Sequence, residues 1–224
     1  PTAVSINATS GFGIYTYTGT GSTGRTLAHG LNSVVKMIIV KRLNSTRDWA
    51  VYHSSLANTE YLELNNDQAK ATANLWGDTT PTSSLIYLGG DGQVNGGSDP
   101  YVMYAFASRT GYSKFGSYKG NSSTDGPFIY TGFKPAFVIL KRADGGDSWV
   151  MLDNKRNEFN PEDKILLADT SGAEITQTQC DFLSNGFKLK EAGGRTNGNG
   201  NSHIYMAFAE NPFVATSGST AIPV

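Results

Sequence analysis

Two stretches of this sequence decide the fold, because the second repeats the first: KMIIVKR at residues 36–42 and PAFVILKR at residues 135–142. Lys41 and Lys141 within them lie 100 positions apart. An Asn-Gly pair followed by YVMYAFA at residues 101–107 returns as an Asn-Gly pair followed by HIYMAFA at residues 203–209. Landmarks in a fixed order at a nearly constant offset indicate a duplicated module.

The duplication provides an internal control. Residues that match between the copies are those that each copy needs to fold, and unmatched residues are where a copy-specific function is expected. Trp49 and Trp149 match, so we expect both to be scaffold residues that fill a core after a hairpin turn.

The strand pattern predicts an all-β protein of two tandem antiparallel β-sandwich units, each with about seven strands. Short β-runs alternate with clusters of Gly, Asn, Asp and Ser, and no stretch has a helical period over a helical length. We expect a lead or linker at residues 1–10, repeat 1 at 11–112, repeat 2 at 113–213 and a tail at 214–224. The passage between the repeats has no Pro/Ser-rich spacer.

Residues 37–40 and 137–140 are apolar at every position, whereas a strand with one wet face alternates. Both faces of these strands are therefore expected to be covered: one by the core of its own unit, the other by the sister repeat, a neighbouring subunit or loops. The predicted structural core comprises Trp49, Trp149, Ile39, Ile139, Phe106 and Phe208.

Composition narrows the classes of function. The chain has 224 residues, with 18 Lys and Arg against 19 Asp and Glu, so it has no basic stripe for nucleic acid. Its single cysteine, Cys180, cannot form a disulfide within the chain. We find neither a signal-peptide pattern nor an apolar run long enough to cross a bilayer, and so expect no membrane insertion.

The sequence offers little for catalysis, and we expect a protein that is not an enzyme and has no cofactor and no metal. The chain has 3 histidines, none matched in the other copy, and no nucleophile motif. Carboxylate pairs for glycoside hydrolysis could be formed by Glu60 with Glu63 or by Glu158 with Glu162, but sequence gives no separation between them. The oxygen-rich residues 91–99 fit hairpin turns better than a calcium loop.

Sugar binding has better support, because aromatic, Gly- and Asn-rich loops at the end of a sandwich are suited to stacking on pyranose rings. Trp76 has no aromatic counterpart in the second copy, so the module does not need it to fold. The predicted ligand site comprises Trp76, Tyr61, Asp91 and Asn95. The alternative is that Trp76 fills a gap left by divergence of the copies.

Further motifs carry a resemblance to a known family: GTG at 19–21, AHGL at 28–31, WAVYHSS at 49–55, GYSKFGSY at 111–118 and FLSNGFKL at 182–189. Over about residues 11–213 the chain resembles an uncharacterised twin-repeat domain of virion and tail-fibre proteins of marine bacteriophages, including cyanophages. That family has no catalytic residues to transfer.

The resemblance implies a virion protein exposed outside the cell, as a tail-fibre or adhesin module that binds a host-surface glycan or receptor. It also implies other virion subunits as partners and a homo-oligomer, with a trimer favoured, and the chain would be part of something longer. The alternatives are a purely architectural protein, such as a capsid decoration or fibre subunit, and a glycan depolymerase.

Overall fold

The computed structural model describes residues 1–212 and divides the chain into two compact units. Unit 1 comprises Pro1–Asn65 and Lys70–Ser108, and unit 2 comprises Asn66–Ala69 and, within the described residues, 109–212. The division falls after residue 108, and the four-residue segment Asn66–Ala69 belongs to unit 2. The predicted tail at 214–224 lies outside the described residues.

Unit 1 is an all-β unit of two antiparallel sheets. Seven strands form one sheet in the order β1-β2-β9-β4-β5-β6-β7, and β3 pairs with β8 in a second. The strands are β1 (Ala3–Asn7), β2 (Phe12–Thr18), β3 (Arg25–Ala28), β4 (Val35–Arg42), β5 (Ala50–His53), β6 (Glu60–Glu63), β7 (Ala71–Thr72), β8 (Leu85–Leu88) and β9 (Pro100–Ala107).

The core of unit 1 lies between these two sheets. Leu27 of β3 and Ile86 of β8 belong to the same buried cluster as Ile38 and Val40 of β4. Tyr15 and Tyr17 point inward from β2, as the alternation of a strand requires. Their hydroxyls donate to the backbone carbonyls of His29 at 2.5 Å and Val94 at 2.6 Å, so these buried polar groups are satisfied.

Unit 2 is built from one antiparallel sheet of eight strands in the order β10-β17-β12-β13-β14-β15-β16-β11, with a short helix before the last strand. Its elements are β10 (Ser113–Lys119), β11 (Phe128–Tyr130), β12 (Pro135–Arg142), β13 (Val150–Asp153), β14 (Glu162–Leu167), β15 (Ile175–Leu183), β16 (Gly186–Leu189), α1 (Gly194–Asn197) and β17 (Ser202–Ala209).

The sheet of unit 2 folds over to enclose its own core. Ile129 of β11 and Phe187 of β16, at one end, share a buried cluster with Leu140 of β12 and Tyr205 of β17. The strand β14 joins the two parts, since its C-terminal half pairs with β13 and its N-terminal half pairs with β15. The register between β14 and β15 shifts between Glu162 and Lys164, so the chain bends at the start of β14.

The central strands follow the same plan in both units. β4 pairs with β5 and β9, β12 pairs with β13 and β17, and the register shifts between Val35 and Met37 in one and between Pro135 and Phe137 in the other. Lys41 and Lys141 each donate from Nζ to backbone carbonyls of the hairpin turn that follows, those of Ser45 and Arg47 in unit 1 and that of Asp147 in unit 2.

The expected number of about seven strands in each unit is not confirmed. Among the described residues unit 1 has nine strands and unit 2 has eight, and β1 lies at Ala3–Asn7. Prediction missed β15, because its first four residues, 175–178, are exposed and carry no inward-facing apolar pattern.

The predicted core residues divide into two groups. Trp149 is 1% exposed, whereas Trp49 is only half-buried. Ile39 and Ile139 are buried at 9% and 8% exposure on the opposite face to their neighbours in the core clusters. Phe106 and Phe208 are half-buried on that opposite face and contact other aromatic rings.

Candidate ligand pocket in unit 2

The structure does not bring the predicted ligand residues together as an exposed sugar platform. Trp76 is 1% exposed and belongs to the core cluster of unit 1. Its indole Nε1 donates to the Glu60 carbonyl at 3.2 Å, and its ring meets Tyr52 edge-on. An indole with no accessible face offers no surface for a sugar ring, so Trp76 fills the core of unit 1, as the alternative interpretation held.

Asn95 has a structural role as well. It is fully buried; its Oδ1 accepts from the Thr20 N–H at 2.9 Å, and its Nδ2 donates to the Ser22 and Gly89 carbonyls at 2.9 and 2.8 Å. This side chain therefore ties together loops distant in sequence and has no group left over for a ligand. The sequence already indicated a structural role, because Asn95 has a matching asparagine, Asn197, in the second copy.

Tyr61 and Asp91 remain closer to the surface. Tyr61 is half-buried and packs against the core cluster. Asp91 accepts from the Gln93 N–H at 2.7 Å and lies 3.7 Å from Arg47, while Asp99 of the same loop pairs with Arg42 at 2.6 Å. The carboxylates of this loop therefore stabilise turns and pair with arginines, which supports the interpretation of residues 91–99 as turns.

The histidines and the cysteine are buried. His29, His53 and His203 are each 1% exposed or less, and burial lowers the pKa of His29 and of His203. Cys180 is fully buried, and burial raises the pKa of its thiol. Across residues 1–212, no group of three or more His, Cys, Asp or Glu side chains is arranged to hold a metal ion.

A cavity of about 480 Å³ opens on unit 2 beside the start of β14. Its walls are formed mainly by the loop between β13 and β14, with contributions from the N-terminus of β12, from β15 and from the residue that follows β17. The lining residues are Lys134, Asn154, Lys155, Glu158, Phe159, Asn160, Glu162, Phe182 and Glu210. The lining thus combines aromatic rings, amides and charges of both signs.

Glu162 is a buried acid in this lining. It is the first residue of β14, faces Cys180 across the strand pair and is 2% exposed. Burial, together with the neighbouring Asp153 carboxylate, raises the pKa of Glu162 to about 7. Its Oε2 atom is buried without a hydrogen-bond partner among the described residues. Such an atom is costly to bury and is expected to be satisfied by something that enters the cavity.

Asn154 presents a second acceptor. Its Nδ2 donates to Oε1 of Glu210 at 2.8 Å, and Glu210 also pairs with Lys134 at 2.8 Å. The carboxylate fixes the orientation of the amide, because a flipped amide would set oxygen against oxygen. The Asn154 Oδ1 atom, in consequence, points elsewhere, and it too is buried without a partner in the part of the chain that the structure describes.

Asn160 anchors the loop that carries the exposed ring of this pocket. Its Oδ1 accepts from the Phe182 N–H at 2.8 Å and its Nδ2 donates to the Phe182 carbonyl at 2.9 Å, so the side chain pairs with β15 as a strand would. The adjacent Phe159 is 81% exposed. A large apolar side chain held this far into solvent next to a polar cavity is available to cover a ligand.

Glu158 and Glu162, which the sequence suggested as a carboxylate pair, both line this pocket. Asn154 and Phe159 were not predicted as site residues, although one feature of the sequence pointed to their loop. The loop between β13 and β14 covers residues 154–161, whereas the matching loop between β5 and β6 covers only residues 54–59. A segment that is longer in one copy than in the other is an unmatched segment, where the internal control predicts function.

Comparison with known proteins gives a family and no characterised relative. The model of the family described as "Domain of unknown function (DUF7483)" matches residues 1–212, and the chain belongs to that family. No curated protein and no solved structure matches the chain. Within residues 1–212 no helix has the length and apolar character needed to cross a membrane.

Proposed function

We propose that this chain is a non-enzymatic carbohydrate-binding module of a bacteriophage virion, in a tail fibre or adhesin exposed to the host surface. The assignment to a virion rests on the resemblance of its motifs to phage twin-repeat domains. The assignment to sugar binding rests on the pocket of unit 2. This pocket takes the place of the Trp76 loop as the ligand site.

The observation that carries the proposal is the pairing of an exposed ring with buried, unsatisfied acceptors. Phe159 supplies an apolar face at the rim, and Asn154 and Glu162 supply acceptors within the lining. Sugars have this dual character, since their ring faces are apolar and their edges carry hydroxyl donors. A site of this size suits one or two sugar residues of a longer glycan.

A glycan array followed by titration calorimetry tests the proposal. We expect Phe159→Ala to weaken binding of a glycan found on the array by about tenfold, since stacking at a binding hot spot is worth at least ~1 kcal/mol. Phe128→Ala is the matched control, because Phe128 is also exposed on unit 2 but does not line the pocket. Silence on the array, or an equal loss in both variants, contradicts the proposal.

We further propose that the two units are copies of one duplicated module. The shared order of their central strands, the shared register shifts and the paired roles of Lys41 and Lys141 support this. Duplication accounts for the shared order of the central strands. Divergence after the duplication accounts for the longer loop that forms the pocket in unit 2.

For assembly with other subunits, β1 is the candidate edge. It lies at the end of its sheet, and all five of its residues are exposed, with Val4 at 54% and Ile6 at 39%. A long exposed edge strand is a template for pairing with another chain. This supports a homo-oligomer and also suits the purely architectural alternative, whereas the preference for a trimer rests on the resemblance to tail-fibre proteins. Light scattering of the wild type and of Val4→Lys measures the association.

A glycan depolymerase is the second candidate. It is favoured by the presence of Glu158 and Glu162 in one pocket, with Glu162 buried and its pKa raised to about 7 while Glu158 is exposed. Glycosidases use one protonated and one ionised carboxyl in this way. Release of reducing ends from a bound polysaccharide, abolished by Glu162→Gln, would replace the non-enzymatic proposal with this one.

A further inference from the structure

The unsatisfied atoms of the unit 2 pocket identify the chemistry of its ligand. Two buried atoms in its lining lack partners: Asn154 Oδ1 is an acceptor, and Glu162 Oε2 is an acceptor when its carboxyl is ionised. A ligand that satisfies them must donate. The Nδ2 group of Asn154 already donates to Glu210, so the amide cannot flip to present a donor in place of Oδ1.

The charges of the pocket favour a cationic donor. Of the two lysines in the lining, Lys134 is paired with Glu210 at 2.8 Å and Lys155 is exposed, while Arg156, in the same loop, is paired with Asp153 at 2.6 Å. Lys134 and Arg156 lower the pKa of Glu162 from a distance, but Glu162 itself has no ion-pair partner among the described residues. A buried carboxylate is stabilised most by a charge-assisted hydrogen bond from a cation.

Donor number separates an ammonium group from a hydroxyl group. A hydroxyl has one proton and donates to one acceptor, whereas an ammonium has three N–H donors and so can serve several acceptors of a pocket at once. Phe159, 81% exposed at the rim, adds a ring face that attracts a cation or covers the apolar face of a sugar.

We propose that the pocket of unit 2 is an ammonium-binding subsite, in which Glu162 and Asn154 accept hydrogen bonds from the protonated amine of an amino sugar. The inference rests on the proposed function for the sugar, but the ammonium recognition follows from the pocket alone. Glu162 is then the residue that determines specificity, because it supplies the charge.

The test uses ligands that differ at one position: glucosamine, N-acetylglucosamine and glucose, with the galactose series alongside to allow for stereochemistry. Affinities are measured by ligand-observed NMR on the full chain at a pH where the amine is protonated. We expect the amino sugar of one series to bind at least about tenfold more tightly than its N-acetyl and hydroxyl analogues.

Three variants test which residues bind the ammonium group of the ligand. Glu162→Gln, which keeps the size of the side chain, is expected to remove this preference, and Asn154→Ala to weaken it. Asp125→Asn is the control, since Asp125 is an exposed carboxylate on unit 2 that pairs with Lys188 and does not line the pocket. A preference that survives Glu162→Gln overturns the inference.

The remaining outcomes separate the inference from the proposed function. Equal binding of the three analogues overturns the ammonium subsite and leaves sugar binding standing. Binding of ethanolamine without binding of any sugar supports the subsite and overturns the carbohydrate function. Absence of binding by both the sugars and ethanolamine overturns both.

Discussion

Units 1 and 2 arrange their central strands in the same order but cover their cores differently. In unit 1 the second layer is a separate pair of strands, β3 and β8. In unit 2 the sheet itself continues through β14 and β15 and folds over the core. The pocket forms beside the start of β14, where the chain passes from one part of that sheet to the other.

Matched residues stabilise the loops of both units, whereas an unmatched loop forms most of the pocket of unit 2. Asn197 of unit 2 repeats what Asn95 does in unit 1: its Oδ1 accepts from the Asn121 N–H at 2.9 Å, and its Nδ2 donates to the Ser123 and Glu191 carbonyls at 2.8 and 2.7 Å. The pocket residues Asn154 and Phe159, by contrast, lie on the loop that is longer in unit 2.

The two matched tryptophans differ in burial between the units. Both backbone N–H groups donate to a side chain further along, Asn65 Oδ1 at 2.8 Å for Trp49 and Asp169 Oδ1 at 2.9 Å for Trp149. Only Trp149 is fully buried. We expect Trp149→Ala to cost about 3–5 kcal/mol of unfolding free energy and Trp49→Ala less than half of that. Urea unfolding followed by circular dichroism measures both, and equal costs would show that their surroundings are equivalent.

The matched asparagines provide the sharpest test of the shared scaffold. Asn95→Ala and Asn197→Ala each leave several buried backbone groups without partners, so each is expected to cost about 2–4 kcal/mol. Asn211→Ala, at an exposed position, is the control. Chemical denaturation measures the unfolding free energy of the three variants. A cost confined to one of the two asparagines would mean that the loops are not equivalent.

Two glutamates give the units opposite responses to pH. Burial raises the pKa of Glu162 from 4.5 to about 7, so its contribution to stability is fully present below about pH 4.5 and is lost as the pH rises through 7. Glu162→Gln is therefore expected to be more stable than the wild type at about pH 8, by about 1–3 kcal/mol, and nearly equal at about pH 4.

Glu60 behaves in the other direction. Burial acts to raise the pKa of Glu60, but hydrogen bonds from Lys70 and from the Ala57 N–H outweigh it and lower the pKa below 4.5. Its contribution is thus present above that value and is lost in acid, and Glu60→Gln is expected to cost about 0.5–1 kcal/mol at about pH 8. Thermal denaturation across this pH range checks both variants, and responses of the same sign would contradict the assignment.

The smallest expected effect on stability is at the rim of the pocket. Phe159 is 81% exposed, so Phe159→Ala should change the unfolding free energy by less than about 0.5 kcal/mol. Phe182, 2% exposed in the core of unit 2, is the contrasting position, where the same change should cost about 3–5 kcal/mol. Calorimetric melting compares them. A large cost at Phe159 would indicate a structural side chain and weaken the case for a ligand site.

Much of the strand pattern could be predicted from the sequence. The predicted all-β pattern of short strands between turn clusters is confirmed, because runs such as Val35–Arg42 and Leu85–Leu88 are rich in apolar residues and are flanked by turn residues. Prediction failed at β1 and at the first four residues of β15, where every residue is exposed and none is buried in a core.

The sequence by itself determined an all-β chain with a repeated pattern of central strands, because strand formation depends on a period of two residues and on local turns. Only the tertiary structure decided that Trp76 is buried, that Ile39 faces away from the core cluster and that Glu162 lies in a pocket. These properties depend on which distant segments meet, such as Asn154 with Glu210, 56 positions further along the chain. The burial that gives Glu162 its unusual chemistry is a property of that packing and has no counterpart in the local sequence.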